Sequence, residues 1–487
     1  MTSINSTLNG ASPTSQWNNL PWVTIDKEVK RLQMRIAKAT KEGKKGKVKA
    51  LQRLLTCSFY SKCLAVRRVV RNKGANTPGV DGILWRTPCQ RMKAVETLKR
   101  RGYSPQPLKR IHIPKKNPKA GKRPLSIPCM KDRAMQALWQ LALDPIAEEM
   151  ADPNSYGFRS KRSVADAIEQ CFIVLSRKVS AKWVLEGDIK ACFDRLSHSW
   201  LEENIPMDKT ILKKFLKAGF MEKGVIYSIT KGAAQGGVTS PTITLIALSG
   251  LEKILKDIFK REKVNVVVYA DDFIITGPNK ELLENKVIPI IESFLKERGL
   301  ELNREKSKIT HVEKGFNFLG HSIRWYRRGL LTMPSKANVK NFLREVRRTI
   351  KSNQTTKTGD LIKQLNPKIL GWAYFFRHSA ASKTFSYVDK EIYEALSRWM
   401  KKRHPTKRKT WRNKKYFRQV GSRNWQFSAK IKDKDNIISY LDLAAAKRVP
   451  IRRHIKIRGE TTPYDSQFKE YFEKRDKSKN APPGNRW

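Results

Sequence analysis

Acid is what this sequence is short of. Its 487 residues carry 44 Asp and Glu against 100 Lys and Arg, a formal net charge of +56. A chain that basic needs a polyanion; nucleic acid is the simplest, and an acidic membrane surface is the other candidate. Long apolar runs are missing as well. No stretch reaches the roughly 18 apolar residues of a membrane-spanning helix. The N-terminus shows no basic and apolar secretory leader. Cysteine is sparse: Cys57, Cys63, Cys89, Cys129, Cys171 and Cys192 form no C-x-x-C pair, and none follows Cys192. That excludes a disulfide framework and reads as reduced packing residues of a cytosolic protein. No internal repeat is present.

What is there centres on Val264–Thr276, where two β-branched apolar runs flank Ala270-Asp271-Asp272. The pattern predicts two short strands joined by a tight turn. Two adjacent carboxylates between buried strands need neutralising, and hard oxygen ligands suit a divalent cation such as magnesium. The plainer reading is an exposed acidic turn without chemistry. A second apolar run, Trp183–Asp194, ends in acid at Asp188.

Around this centre the chain reads in order. A helical period begins at Asp26 with Val29, Leu32, Ile36 and Ala39. It breaks at Gly43–Gly46 and resumes through Val48, Leu51, Leu55 and Phe59. Arg110–Pro114 and Arg123–Pro128 predict strands around a basic loop, Lys115–Lys122, and a helix follows through Ala134, Leu138, Leu141 and Leu143. Ile243–Leu251 is a further helix. Ser335 is placed to cap a helix with Val339, Phe342, Leu343, Val346 and Ile350 on one face. Lys336, Lys340, Arg344, Arg347, Arg348 and Lys351 occupy its other face, as an RNA-binding surface. Further helices are expected at Asp360–Leu365, Pro367–His378 and Val388–His404. Lys407–Lys415 is strongly basic around Trp411.

Nucleotidyl transfer by the two-metal route needs carboxylates holding ions about 3.5–4 Å apart. Asp271 and Asp272 with Asp188 supply three, on the edge of a split β-α-β sheet. Here a resemblance enters. Tyr269-Ala-Asp-Asp272 with Asp188 and Phe193 looks like a reverse-transcriptase palm. The ordered series is similar to bacterial group II intron reverse transcriptases: Arg123-Pro-Leu-Ser-Ile-Pro128, Tyr156-Gly-Phe-Arg159, Asp188 to Asp194, Gln235-Gly-Gly-Val-Thr-Ser-Pro241, Tyr269 to Asp272, Lys306 and Phe318-Leu-Gly-His321. Leu365–Tyr374 resembles the thumb, or maturase, motif of that family. The resemblance covers roughly residues 25–460.

The resemblance implies roles. Asp188, Asp271 and Asp272, with the Ile189 carbonyl, would hold two Mg2+ ions. Lys306 would protonate the leaving pyrophosphate. Lys122 and Arg123 would grip phosphates, Gln235 would contact the incoming deoxynucleoside triphosphate, and Phe193 would exclude a 2′-hydroxyl. Tyr269, Ala270, Phe318, Leu319 and Gly320 would meet the primer and template. Ala191 stands where the family commonly has glycine, and Thr239 where it has isoleucine. Asp194 reads as a structural acid, Glu186 as a strand-edge charge, and His198, His321 and His378 as packing or RNA-contacting residues.

The expected fold is α+β, a right-hand polymerase. Its parts are a disordered N-terminus (1–25), a basic helical extension (26–95), fingers and palm (96–332), an α-helical thumb (333–410), a basic DNA-binding region (411–474) and an unstructured tail (475–487). The expected function is RNA-templated DNA synthesis with assistance to intron splicing and retrohoming. The partners would be group II intron RNA, a template RNA/DNA primer duplex, target DNA and deoxynucleoside triphosphates, with no membrane. The expected location is the bacterial cytoplasm, in a ribonucleoprotein or at the nucleoid. Two other readings stay open: a splicing-only RNA-binding maturase, and a reverse transcriptase of a retron or defence element. Ile455–Trp487 holds neither His nor Cys, so no second-strand cleavage by a metal-dependent endonuclease is expected.

Overall fold

Three N-terminal helices share one apolar seam. Trp22–Lys41 buries Val29, Leu32, Ile36 and Ala39, and Lys45–Cys57 buries Val48, Leu51 and Leu55. Both faces meet Ala142 and Ile146 of the long helix Met130–Met150. Phe59 does not extend the second helix. Ser58 is extended (φ −64°, ψ 131°), so Phe59 opens a third helix, Phe59–Arg71, on the same support. Met130–Met150 is buried on nearly every side, as its largely apolar sequence requires.

The computed structural model describes residues 13–114, 121–421, 423–432 and 438–480. They divide into two compact units. Within the described residues the first covers 13–163, 187–309 and 457–480, and the second 164–186 and 310–456.

In the first unit β1 (Leu108–Pro114) pairs antiparallel with β2 (Lys122–Ile127), Ile111 facing Leu125 and Pro114 facing Lys122. Most of the basic loop between them, residues 115–120, lies outside the described residues. β3 (Trp183–Asp188) reaches this unit only with Gly187 and Asp188. β4 (Phe220–Glu222) and β5 (Val225–Tyr227) complete a sheet of order β2-β1-β4-β5. β6 (Asn265–Tyr269) and β7 (Asp272–Gly277) form the expected hairpin. β8 (Lys308–His311) starts in this unit. Residues 457–480 rejoin it late: Arg162 Nη2 donates to the carbonyls of Gly459 and Thr461, each at 3.1 Å.

Two expectations of disorder are corrected. Pro13–Asn18 is helical and Trp17 is buried. The expected tail from Arg475 is helical as far as Asn480, within Lys469–Asn480, and its remainder lies outside the described residues. The reason is burial. Phe472 and Arg475 keep 6% and 8% of their surface exposed, so a segment that reads as all charge is pinned by two side chains.

The second unit has its own core. β9 (Phe316–Phe318), β10 (His321–Tyr326) and β11 (Gly329–Pro334) form an antiparallel sheet of order β11-β10-β9. Ser335 caps the helix Lys336–Ser352, its hydroxyl accepting from the Asn338 amide at 3.3 Å. Helices Thr358–Phe376 and Ser382–Arg403 pack with it around Phe342, Val346, Leu365, Phe376, Phe385 and Trp399. β12 (Phe417–Val420), β13 (Arg423–Lys432) and β14 (Ile438–Asp442) place Phe417, Phe427 and Ala429 on the same core. Pro367 does not split Thr358–Phe376 into two helices, contrary to expectation. An interior proline costs about 3 kcal/mol. Leu361, Ile362, Leu365, Ile369 and Phe376 are all buried on one face of this helix. At about 1.5–3 kcal/mol each they outweigh the break. Among the described residues, no helix is long and apolar enough to cross a membrane.

Candidate active site

The acidic hairpin is anchored before it is reactive. Val266, Val267 and Val268 on β6, and Phe273, Ile274 and Ile275 on β7, are all buried, as β-branched and aromatic residues favour. Tyr269 pairs with Asp272, leaving Ala270-Asp271 as a two-residue turn. Ala270 takes φ 59°, the left-handed region that costs a non-glycine residue about 1–2 kcal/mol. Strain of this kind persists where its surroundings enforce it. The enforcing neighbour is Gly157, where an added Cβ would lie 2.1 Å from the Ala270 nitrogen. Its segment runs along β6: the Tyr156 amide donates to the Val268 carbonyl (2.9 Å), and the Val268 amide to the Asn154 carbonyl (3.0 Å).

Asp188 is held from three directions. Its amide donates to Ser307 Oγ at 3.2 Å, and its carbonyl accepts from the Asn303 amide at 2.8 Å. Its Oδ2 accepts from Asn303 Nδ2 (3.0 Å) and Lys306 Nζ (3.3 Å). The adjoining Ile189 is buried and bridges to Leu302. Asp272 feels the other acids. Enclosure by protein, then the like charges of Asp271 and Asp188, push its carboxyl up to about 6, with Lys306 opposing. By surface area Asp272 is exposed. The two like charges are therefore the firmer cause, since enclosure around an exposed side chain is incomplete. The Cys192 thiol, pushed up to about 12 by burial and then by Asp271 and Asp194, stays protonated and inert.

Asp272, facing the like charges of Asp271 and Asp188 with Lys306 opposing, fits a site for a divalent cation. Among the described residues no three His, Cys, Asp or Glu side chains converge closely enough to enclose an ion unaided. Asp188, Asp271 and Asp272 are the residues that would hold it.

Phe193 follows Cys192, whose thiol feels the Asp271 charge, on the single turn Cys192–Arg195. Ala191 opens that turn at φ 50°, ψ 47°, where a glycine would be unstrained. Phe193 is half-buried, its ring edge-on to Phe158 with centroids 6.1 Å apart. Its carbonyl accepts from the Ala233 amide at 2.7 Å. The Gln235 carbonyl accepts from the Ser126 amide at 2.8 Å, which docks the glutamine's segment on β2. Lys122 and Arg123 sit on that same strand, both exposed. Asp194 is exposed. The sequence pattern alone assigns no role to Asn303, Ser307, Gly157 or Phe158. Asn303 and Ser307 flank Lys306, and the other two lie within Tyr156-Gly-Phe-Arg159.

The remaining candidates belong to the second unit. Leu319 (φ 48°) and Gly320 (φ 81°) form the two-residue turn between Phe318 on β9 and His321 on β10. Lys336, Lys340, Arg344, Arg347, Arg348 and Lys351 lie along one helix, and its cationic face is open to solvent. Arg347 is ion-paired with Glu391.

The chain is similar to known families and proteins. Residues 113–323 match the family described as reverse transcriptase (RNA-dependent DNA polymerase), and residues 17–98 match an N-terminal domain of reverse transcriptase. Residues 339–417 match a group II intron maturase-specific domain. Protein YkfC of Escherichia coli is 33% identical over 322 residues, covering 56% of this chain and 83% of that protein. Group II intron-encoded protein LtrA of Lactococcus lactis is 29% identical over 348 residues, 56% of each chain. Maturase-like protein 1 of Euglena gracilis is 24% identical over 399 residues, 79% of this chain and 83% of the other. The class these features define is the reverse transcriptase, an RNA-directed DNA polymerase. Within it, the chain belongs to the group II intron reverse transcriptase/maturase family. The match spans about half the length of LtrA.

Proposed function

We propose that this protein copies RNA into DNA at the Asp188–Asp271–Asp272 cluster and clamps its parent intron RNA to assist splicing and retrohoming. The observation that carries the reading is that Asp272, at the turn of the β6–β7 hairpin, faces the like charges of both Asp271 and Asp188, with Asp188 in contact with Lys306. Such a cluster is costly for a pure binder and useful for holding cations. Two magnesium ions, when bound, would activate the primer 3′-hydroxyl and offset charge on the departing pyrophosphate. The chain's own residues supply position. Asn303 and Lys306 aim the Asp188 carboxylate. Lys306, exposed and in contact with that carboxylate, is placed to give a proton to the pyrophosphate. Arg123 and Lys122 grip the triphosphate, Gln235 lines the nucleotide, and Phe193 fills the space a 2′-hydroxyl needs.

In this reading residues 96–332 form the fingers and palm. Residues 333–410 form the thumb, with Lys336–Ser352 facing nucleic acid, while Phe318–Gly320, within the fingers and palm of residues 96–332, hold the primer end. Regions 26–95 and 411–474 add basic surface for intron RNA and target DNA. The setting is a ribonucleoprotein. The test replaces Asp271 or Asp272 with Ala. Primer extension with magnesium should fall to background while filter binding of intron RNA holds, because ligation is local and RNA binding is spread over many cations. Extension near the wild-type rate in either variant would end the reading.

A further inference from the structure

The residue that braces Phe193 is itself braced. Phe158 keeps 39% of its surface exposed and takes φ 61°, a left-handed conformation that a bulky side chain rarely adopts. Its ring meets Phe193 edge-on at 6.1 Å and 75°. The next residue is locked. Arg159 makes a fork-to-fork pair with Glu148, Nε to Oε2 at 2.9 Å and Nη2 to Oε1 at 2.8 Å. The two side chains keep only 3% and 4% of their surface exposed. The same guanidinium donates from Nη1 to the carbonyls of Asp152 (2.8 Å) and Ser155 (2.9 Å). It therefore gathers both ends of the turn that leads into Tyr156–Phe158. That segment is bound to β6 and presses Gly157 against the Ala270 turn.

A buried pair that also ties down the carbonyls of one loop is a device for holding that loop in a conformation it would otherwise leave. What the loop presents at its exposed end is the Phe158 ring, turned to Phe193. We propose that Phe158 is a second specificity-determining residue for the sugar. In this arrangement it props the Phe193 ring from the side, and Arg159 with Glu148 are the positioning residues that fix Phe158. The proposal rests on the reading of Phe193 as the sugar gate. An aromatic gate rejects a hydroxyl only if it cannot swing away. An edge contact from a ring whose own backbone is held in place supplies that resistance.

The test compares Phe158→Leu, Arg159→Lys and Phe193→Val in the full chain. For each, kcat/KM is measured for one nucleotide in its deoxy and ribo forms, beside intron-RNA affinity. Phe193→Val should lower the deoxy-to-ribo ratio most. Phe158→Leu should lower it about fivefold, the worth of one aromatic edge contact. Adding Phe158→Leu to Phe193→Val should change nothing further, since the prop then has nothing to support. Arg159→Lys keeps the charge, loses the fork, and should move the ratio in the same direction with RNA affinity unchanged. A flat ratio in Phe158→Leu beside a lowered one in Phe193→Val overturns the proposal and leaves the gate standing. A flat ratio in Phe193→Val removes the gate and the proposal with it. Equal losses for both sugars in Arg159→Lys would reduce the ion pair to a merely structural one. If that variant does not fold, Phe158→Leu, altered at an exposed side chain, decides.

Discussion

Gly187 and Phe273 pack in direct contact: a Cβ on Gly187 would lie 2.1 Å from the ring's Cζ. Asp188 follows the one and Asp272 precedes the other. The spacing between these two carboxylates is thus set by a hydrogen atom against an aromatic ring. Gly187→Ala forces the strands apart. Overpacking of this kind costs about 1–3 kcal/mol. The larger effect should be on rate, because a misplacement near 1 Å costs on the order of 100-fold. Primer extension and urea unfolding of the same variant check both. A variant destabilised yet fully active would show that the contact does not space the acids.

His321 makes stability depend on pH. It is 3% exposed, packed on the Phe375 and Phe376 rings, with Nδ1 3.2 Å from the Leu319 carbonyl. Burial lowers its pKa from 6.5 to about 4. The folded state therefore holds the neutral ring where the unfolded chain would take up a proton. Its contribution is complete above pH 6.5 and is lost as pH falls towards 4, by on the order of 3 kcal/mol in all. His321→Asn should flatten that part of the stability–pH curve in urea titrations at stepped pH. An unchanged slope would place the titration elsewhere.

The cationic helix Lys336–Ser352 yields a sharper expectation. Arg344 and Arg348 have no ion-pair partner among the described residues, whereas Arg347 is held by Glu391. Replacing Arg344 and Arg348 with Gln should lower the log–log salt slope of intron-RNA binding by roughly 0.7–0.9 for each phosphate left without its cation. Arg347→Gln should change it less. Filter binding across a salt series distinguishes the two, and equal slopes would mean that this face does not meet phosphates.

Trp372 steadies the turn at Gly320 through Asn338. Its Nε1 donates to Asn338 Oδ1 at 2.9 Å, and its ring stacks on Phe342 at 4.7 Å. Asn338 Nδ2 in turn lies 2.9 Å from where a Gly320 Cβ would be. Trp372→Phe keeps the stacking and strands the Asn338 acceptor, at a cost of about 1–2 kcal/mol. A double-mutant cycle with Asn338→Ala should show coupling of similar size by thermal unfolding. Simple additivity would mean the bond contributes nothing.

Much of this was legible in the sequence, for identifiable reasons. Asp271 and Asp272 stood out between two β-branched runs, and the ordered motifs around them, not the turn alone, favoured chemistry over a plain acidic turn. Val29, Leu32, Ile36 and Ala39 announced their helix by spacing alone. Ser335 announced a cap. What stayed hidden were relations between distant backbones. Nothing at Gly157 or Glu148 signals that they meet the acidic turn and Arg159. Local rules also misled where packing overrode them. Pro367 reads as a break, yet the buried residues on either side carry the helix through it. Residues 475–480 read as loose charge, yet Phe472 and Arg475 are buried.

The late return of residues 457–480 to the first unit bears on how the protein is made. Asp188, Asp271 and Asp272 leave the ribosome long before Gly459 and Thr461, whose carbonyls receive Arg162. Between them comes the whole of the second unit's run from Thr310 to Lys456. Vectorial synthesis therefore offers the second unit a chance to fold while the first still lacks a piece. The first unit must wait for a segment about 300 positions downstream of Arg162 to arrive; its longest-range contacts close last. During that interval the newborn chain already presents the basic helix Lys336–Ser352. A basic face is therefore on offer before the first unit has received its last segment.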